Sequence, residues 1–274
     1  MFVLIFCDRR GVMQVKESSG LYIRKYIFLS VVLGMAFPAF NVRAEENKST
    51  EMSSKVFSLH LGGSRVVYDP AASSGAVLRV SNDHDYPILV QSEVLREDKK
   101  AQAPFVVTPP LFRLDGRQSS HLRIVRVSGD FPADRESLQW ICVKGIPPKD
   151  DDIWVKEKDE TKADKVSLQV RLVVSNCIKL FVRPAAVKGQ SDEAAGRVTW
   201  QRIGNRLKGD NPTPFYINLS KLTVGGKAVK DHEYIAPFSS REYTLPTGAS
   251  GKVQWTVITD YGGTSKLFEA DLKG

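Results

Sequence analysis

The stretch VSLQVRLVVSNCIKLFVR, residues 166–183, decides the fold class. It contains no Pro or Gly. Val166, Leu168, Val170, Leu172 and Val174 fall on every second position, with Ser167, Gln169 and Arg171 between them. Period two is the signature of a strand with two different faces, and the β-branched content agrees. At about 3.3 Å per residue, an unbroken strand of this length exceeds roughly 50 Å, whereas ordinary strands run about 3–10 residues. Either the strand bends between two sheets, or part of it is exposed to something outside its own fold. Cys177 and Lys179 also lie in this stretch, and in an unbroken strand both point away from the Val/Leu face.

Short alternating segments continue on both sides. Upstream, strands are predicted at 55–61, 65–68, 75–80, 87–94, 119–127 and 137–143, with a bend at a sheet edge where Pro109-Pro110 interrupts apolar residues. Residues 45–54 are polar and read as loose, and 149–165 are dominated by Asp, Glu and Lys and read as a solvated loop. Downstream of Arg183-Pro184 the predicted strands are 198–203, 215–219, 221–224, 228–229, 241–245, 253–259 and 266–272. Almost no helical periodicity appears. The expectation is an all-β chain of two β-sandwiches, residues 45–183 and 184–274.

Residues 1–44 read as a secretory signal peptide. Arg24 and Lys25 precede an apolar run at 27–40 that is too short to span a bilayer, and Val42-Arg43-Ala44 supplies small residues before a cleavage point. That segment holds six Lys/Arg and two acids. Without it the formal charge falls from +8 to about +4, with 33 basic against 29 acidic residues. A balance so small gives no argument for nucleic acid. An exported chain left with Cys142 and Cys177 reads as having one disulfide, with two buried free thiols as the alternative. A bridge closing about 35 residues contributes roughly 3–4 kcal/mol on the loop-entropy account.

Catalytic signatures are missing from the sequence: it has no nucleophile elbow, HExxH, P-loop or dinucleotide fingerprint. His60, His84, His121 and His232 are scattered and suggest no metal. The expectation is a binding protein without cofactor or metal, not an enzyme. Arg65, after a Gly-Gly break, and Lys179, inside an apolar strand, are two cations that could meet in a cleft and hold a carboxylate. Spacing alone favours reading each as a solvated edge residue.

Several segments together resemble a known family. They are RVVY (65–68), PILVQS (87–92), PFVVTPPLFRL (104–114), KLFVRP (179–184), NPTPFY (211–216) and DYGG (260–263). Collinear over nearly the whole exported chain, they look like the PapD-like periplasmic pilus-assembly chaperones. The long segment between Cys142 and Cys177 is similar to the branch with a long F1–G1 loop. LQWICVKGIPPK (138–149) looks most like the chaperones of the Psa/Myf fibrillar antigens.

The resemblance implies two immunoglobulin-like domains in an L-shaped arrangement, and it reverses the reading of the two cations. Arg65 and Lys179 become anchors for the C-terminal carboxylate of a fibre subunit. Val166, Leu168, Val170, Leu172 and Val174 become a donor strand that completes the subunit's own sandwich. Cys142–Cys177 becomes the bridge at the loop base. Glu136, Arg183 and Asp260 become an ionic cluster between the domains. The implied function is a periplasmic chaperone that caps fimbrial subunits and delivers them to an outer-membrane usher. A donor edge this long is an aggregation hazard, so self-association of the free protein is also expected. The competing expectation is a secreted β-sandwich fibre subunit or adhesin, and an exported enzyme comes third.

Overall fold

The computed structural model describes residues 51–147 and 167–274. The first sandwich is built from β1 (Glu51–Phe57), β2 (His60–Leu61), β3 (Arg65–Tyr68), β4 (Ala76–Ser81), β5 (Ile88–Arg96), β6 (Phe105–Thr108), β7 (Leu111–Leu114), β8 (Ser119–Arg126), β9 (Ser137–Ile146), β10 (Ser167–Val173) and β11 (Ser175–Val182). A five-stranded sheet in the order β3-β11-β9-β5-β7 faces a four-stranded sheet in the order β2-β4-β8-β6. Alternate residues of both sheets fill the space between them, with Val80, Ile88, Val90, Leu122, Ile124, Ile141 and Leu180 fully buried. This is the two-layer solution that period-two sequences demand.

The 166–183 stretch is two strands, not one. The chain breaks at Val174. Beyond the break, β11 runs through the middle of the five-stranded sheet, parallel to β3 and antiparallel to β9. Before it, β10 pairs parallel with β1, from Glu51 opposite Ser167 to Phe57 opposite Val173. The polar segment 45–54, which composition alone reads as loose, therefore enters a strand at Glu51. Asn176 ties the break to the N-terminal segment by donating to the Leu59 carbonyl at 2.7 Å.

Pro109-Pro110 turns the chain from one sheet to the other. β6 lies at the edge of the four-stranded sheet and β7 at the edge of the five-stranded one, and the Thr108–Pro109 bond between them is cis. Proline supplies no N–H, so an edge is where a ladder tolerates it.

The second sandwich follows a one-turn helix, α1 (Ser191–Ala194). Its strands are β12 (Thr199–Ile203), β13 (Arg206–Asn211), β14 (Ile217–Val224), β15 (Lys227–Ala228), β16 (Tyr234–Ile235), β17 (Ser239–Thr244), β18 (Lys252–Val257) and β19 (Phe268–Asp271). One sheet is ordered β12-β13-β17. The other is β15-β14-β18-β19, with β16 also on β14. Trp200, Leu207, Ile217, Leu222 and Trp255 are at most 1% exposed and form the core. The predicted strands 215–219 and 221–224 are one strand whose register shifts between Leu219 and Lys221.

β13 does not appear among the predicted strands, because KGDNP reads as a turn. Gly209 sits in that central strand because a Cβ there would lie 2.7 Å from the Trp200 ring. Asn211 closes the strand. Its amide donates to the carbonyls of Phe215, Ile235 and Ala236 at 2.8–3.2 Å, and its oxygen accepts from Thr213 N at 3.0 Å. Asn82 plays the same part in the first sandwich, donating to Tyr86, Leu114 and Asp115 carbonyls and accepting from His84 N. Each asparagine satisfies buried carbonyls where its strand ends.

Asn211 is 2% exposed, so Asn211→Ala strands several buried carbonyls. At about 1–3 kcal/mol for a buried group left unpaired, a loss of about 3 kcal/mol is expected, read as a lowered urea midpoint by tryptophan fluorescence.

Candidate functional site

Arg183 leaves β11 just after the last core-facing valine, and its guanidinium joins groups from both sandwiches. Nε donates to Glu136 Oε1 at 2.7 Å. Nη1 and Nη2 donate to the two oxygens of Asp260 at 2.7 and 2.8 Å, a bidentate pair. The remaining oxygen of Glu136 accepts from Tyr216 N at 2.7 Å, and Ser191 Oγ donates to Asp260 Oδ1 at 2.9 Å. Beside this cluster, Leu138 and Phe181 of the first sandwich bury against Tyr216 of the second. Burial raises the Glu136 carboxyl above the usual carboxylate range, although Arg183 pulls the other way. For Asp260 burial is outweighed by the hydrogen bonds and charge of Arg183, and its carboxyl is held low.

Arg65 and Lys179 stand directly opposite each other on the parallel strands β3 and β11. Arg65 is 8% exposed. Its Nη1 donates to the Ile258 carbonyl at 3.0 Å, and its Nε is buried without a hydrogen-bond partner among the described residues. Lys179 Nζ donates to Asn218 Oδ1 at 2.5 Å. It also lies 4.7 Å from the Tyr234 ring centre and 5.9 Å from that of Trp140. A cleft of about 390 Å³ opens beside it, lined by Trp140, Asn218 and Tyr234 and by the charged Glu97, Lys99 and Glu233. Among the described residues neither cation forms an ion pair. Burial, then the neighbouring Arg65 charge, bring the Lys179 ammonium down to about 8; Lys99 and Arg241 act the same way and Glu233 opposes. Burial also lowers Arg65, with Asp260 and Glu136 opposing. Two desolvated like charges side by side favour an incoming anion.

The predicted donor residues divide three ways. Val170 and Leu172 lie on β10 with 37% and 49% of their surface exposed. Val174 is half-buried at the break between strands, and Leu168 lies on β10. Val166 lies outside the described residues, as does the predicted signal peptide of residues 1–44. Val170 and Leu172, exposed on β10, have the same parity as Leu180 and Val182, which lie in the core on β11; the odd-numbered Val173 is exposed as well.

Cys142 and Cys177 form a disulfide of 2.08 Å between directly opposed positions of β9 and β11. Among the described residues there is no cluster of His, Cys, Asp and Glu able to hold a metal ion, and no helix is long and apolar enough to cross a membrane.

The structure brings Arg65 and Lys179 together, and it assembles Glu136, Arg183 and Asp260. The sequence reading missed Asn218. A single amide among apolar neighbours in YINLS was the signal for it, since an isolated polar residue on a core strand needs a partner. It also missed Ile258, whose role rests on its backbone oxygen, and no side-chain pattern reports that.

Comparisons with known proteins agree with this architecture. Residues 58–188 match the family described as pili and flagellar-assembly chaperone, PapD N-terminal domain. Residues 193–269 match the pili assembly chaperone PapD, C-terminal domain. The chain is 70% identical over 224 residues to the chaperone protein AfaB of Escherichia coli, covering 80% of this chain and 90% of AfaB. Identity to PsaB of Yersinia pestis, the type singled out by the sequence, is 41% over 232 residues, covering 80% of this chain and 85% of PsaB. The solved E. coli chaperone DraB is 71% identical with a TM-score of 0.73, covering 81% of this chain and all of DraB. The Salmonella enterica SafB chaperone, solved in complex with the SafA pilin, is 46% identical with a TM-score of 0.72, covering 81% of this chain and 100% of the matched one. The competing reading as a fibre subunit or adhesin is overturned, because both halves match chaperone domains.

Two outcomes follow from the charges. An unfolded lysine titrates near 10.4 and folded Lys179 near 8, so between those values the unfolded chain holds more protons and stability rises with pH. The parent is expected to gain stability relative to Lys179→Met from pH 8 to pH 10, measured by urea unfolding at each pH. Arg183→Ala leaves Glu136 and Asp260 buried without their cation, and a loss of about 3–5 kcal/mol is expected from the same measurement.

Proposed function

The chain belongs to the PapD family of pilus-assembly chaperones, and from that premise we propose that it caps fimbrial subunits in the periplasm and hands them to an outer-membrane usher. The observation that carries the reading is the pair Arg65 and Lys179: adjacent, desolvated and without a carboxylate partner among the described residues. They are the anchor for a subunit's C-terminal carboxylate. Charge-assisted hydrogen bonds in a sheltered cleft suit that ligand. The SafA pilin is seen in complex with the related SafB chaperone, and an equivalent subunit is the partner proposed here.

From the anchor the subunit lies along β10 and takes the alternate side chains Val166, Leu168, Val170, Leu172 and Val174 into its open core. This is β-augmentation: main-chain bonds give affinity and alternate side chains give specificity. Each fully buried aliphatic side chain contributes about 1.5–3 kcal/mol, so capping asks for no chemical reaction and no cofactor. The exposed Val170 and Leu172 support this role. β1 covers one edge of β10, and the remaining apolar surface is the proposed site of self-association in the free protein. The Glu136–Arg183–Asp260 cluster fixes the two domains, which divide near Arg183-Pro184, and the disulfide ties off the loop ahead of the donor strand. Residues 1–44 direct export and are removed.

Co-expression with a fibre subunit tests the proposal. Arg65→Ala, Lys179→Ala and Leu172→Asp are each expected to lower recovery of the chaperone–subunit complex at least tenfold while circular dichroism stays at the parent value. Unchanged co-purification by the first two variants would sink the anchor assignment.

A further inference from the structure

Both cations come from the first sandwich, yet both are held by the second. Asn218 on β14 and Ile258, which follows β18, face each other across the sheet, with Ile258 N donating to the Asn218 carbonyl at 2.8 Å. Each then offers one more oxygen. The Ile258 carbonyl accepts from Arg65, and the Asn218 side-chain oxygen accepts from Lys179. A single backbone pair thus sets the position of both charges.

The orientation of the Asn218 amide is fixed by chemistry. An ammonium only donates, so the amide oxygen must face Lys179; a carbonyl only accepts, so the amide nitrogen must face Tyr216 O, which it meets at 3.0 Å. The residue is 4% exposed, and both ends of its amide are hydrogen-bonded. Its neutrality matters as much as its position. An aspartate here would give Lys179 a permanent internal counter-charge, and charge-assisted pairs are roughly twice as strong as neutral ones. An arriving carboxylate would then have to displace a partner already in place.

We propose that Asn218 is a positioning residue for the carboxylate site: it holds Lys179 in line through an uncharged oxygen, so that the ammonium is fixed in place yet still lacks a counter-ion. The proposal rests on the carboxylate reading of Arg65 and Lys179. It adds that the second domain, through Asn218 and Ile258, sets the register of the anchor, and that a single added charge at Asn218 closes the site from within.

The test compares parent, Asn218→Asp and Asn218→Ala. Readouts are subunit capture on co-expression, thermal midpoint, and titration of Lys179 followed by lysine ¹³Cε NMR. The Asp variant is expected to capture at least tenfold less subunit, with the Lys179 titration moved to higher pH and a midpoint lowered by loss of the donation to Tyr216 O. The Ala variant loses the same donation, has a lowered midpoint too, but adds no charge, and is expected to capture several-fold more than the Asp variant. If Asn218 only packs, Asp and Ala lose capture in proportion to their midpoints, and the proposal falls. Normal capture by the Asp variant also overturns it. The underlying reading has its own arm: the parent is challenged with a nine-residue peptide alternating Thr and Val, as free acid and as carboxamide. Equal competition by the two forms rejects the carboxylate reading itself. Preference for the acid, with the Asp variant behaving as parent, rejects only the role of Asn218.

Discussion

The guanidinium of Arg183, forked onto Asp260 and reaching back to Glu136, is the constraint on which the rest of the structure depends. A planar fork meeting a carboxylate bidentately fixes direction as well as distance. With one carboxylate on each sandwich, it fixes the second relative to the first. Without that relation Asn218 and Ile258 would not reach Lys179 and Arg65, since nothing within the first sandwich accepts from those two cations among the described hydrogen bonds. The cluster also acts at a distance. The charges of Asp260 and Glu136 oppose the effect of burial on Arg65, so the ions that brace the domains also offset part of the cost of burying that guanidinium.

That arrangement carries a standing cost. Two like charges are aligned on neighbouring strands, and one is buried far enough to bring its ammonium to about 8. β10 is likewise a strand on which Val170, Leu172 and Val173 are left exposed, with one edge paired to β1. Natural sheets avoid both features unless something binds there. Strain of this kind concentrates at functional sites, where stability and activity compete. Lys179 and β10 lie on one continuous stretch, residues 166–183, whose pattern is the least ordinary in the sequence, and Arg65 is brought to it by β3.

Much of the fold was legible because period two is a direct consequence of strand geometry. Alternation at 119–127 or 253–259 needs no knowledge of the partner strand. β13 stayed hidden because Gly209 and Asn211 serve tertiary purposes, room for Trp200 and closure of buried carbonyls, while looking locally like turn residues. The length of 166–183 already required a bend or an exposed part, but the place of the break rests on a tertiary contact: Asn176 reaching Leu59 O marks the change of direction. The site was half legible. Arg65 and Lys179 looked like solvated edge residues until the family resemblance paired them, because their meeting depends on a parallel register between segments more than a hundred residues apart. Their holders were harder still, one being a backbone oxygen.

The parity of the 166–183 stretch links these observations. Leu180 and Val182 of β11 face this protein's own core, while Val170 and Leu172 of β10, on the same parity, face outward. A side-chain period of two means that a one-residue slip of any strand laid along β10 would exchange its core and solvent faces. The apolar residues of β10 are too alike to prevent such a slip by themselves. A fixed end can prevent it. Lys179 lies seven residues beyond Leu172, on the far side of the break and within the rigid centre of the sheet, where the disulfide at Cys177 and the oxygen of Asn218 hold it. On the proposed function, a chain terminus seated there would bring every following residue into a set phase with the alternate side chains of β10, the charge choosing the starting point and the alternation doing the rest.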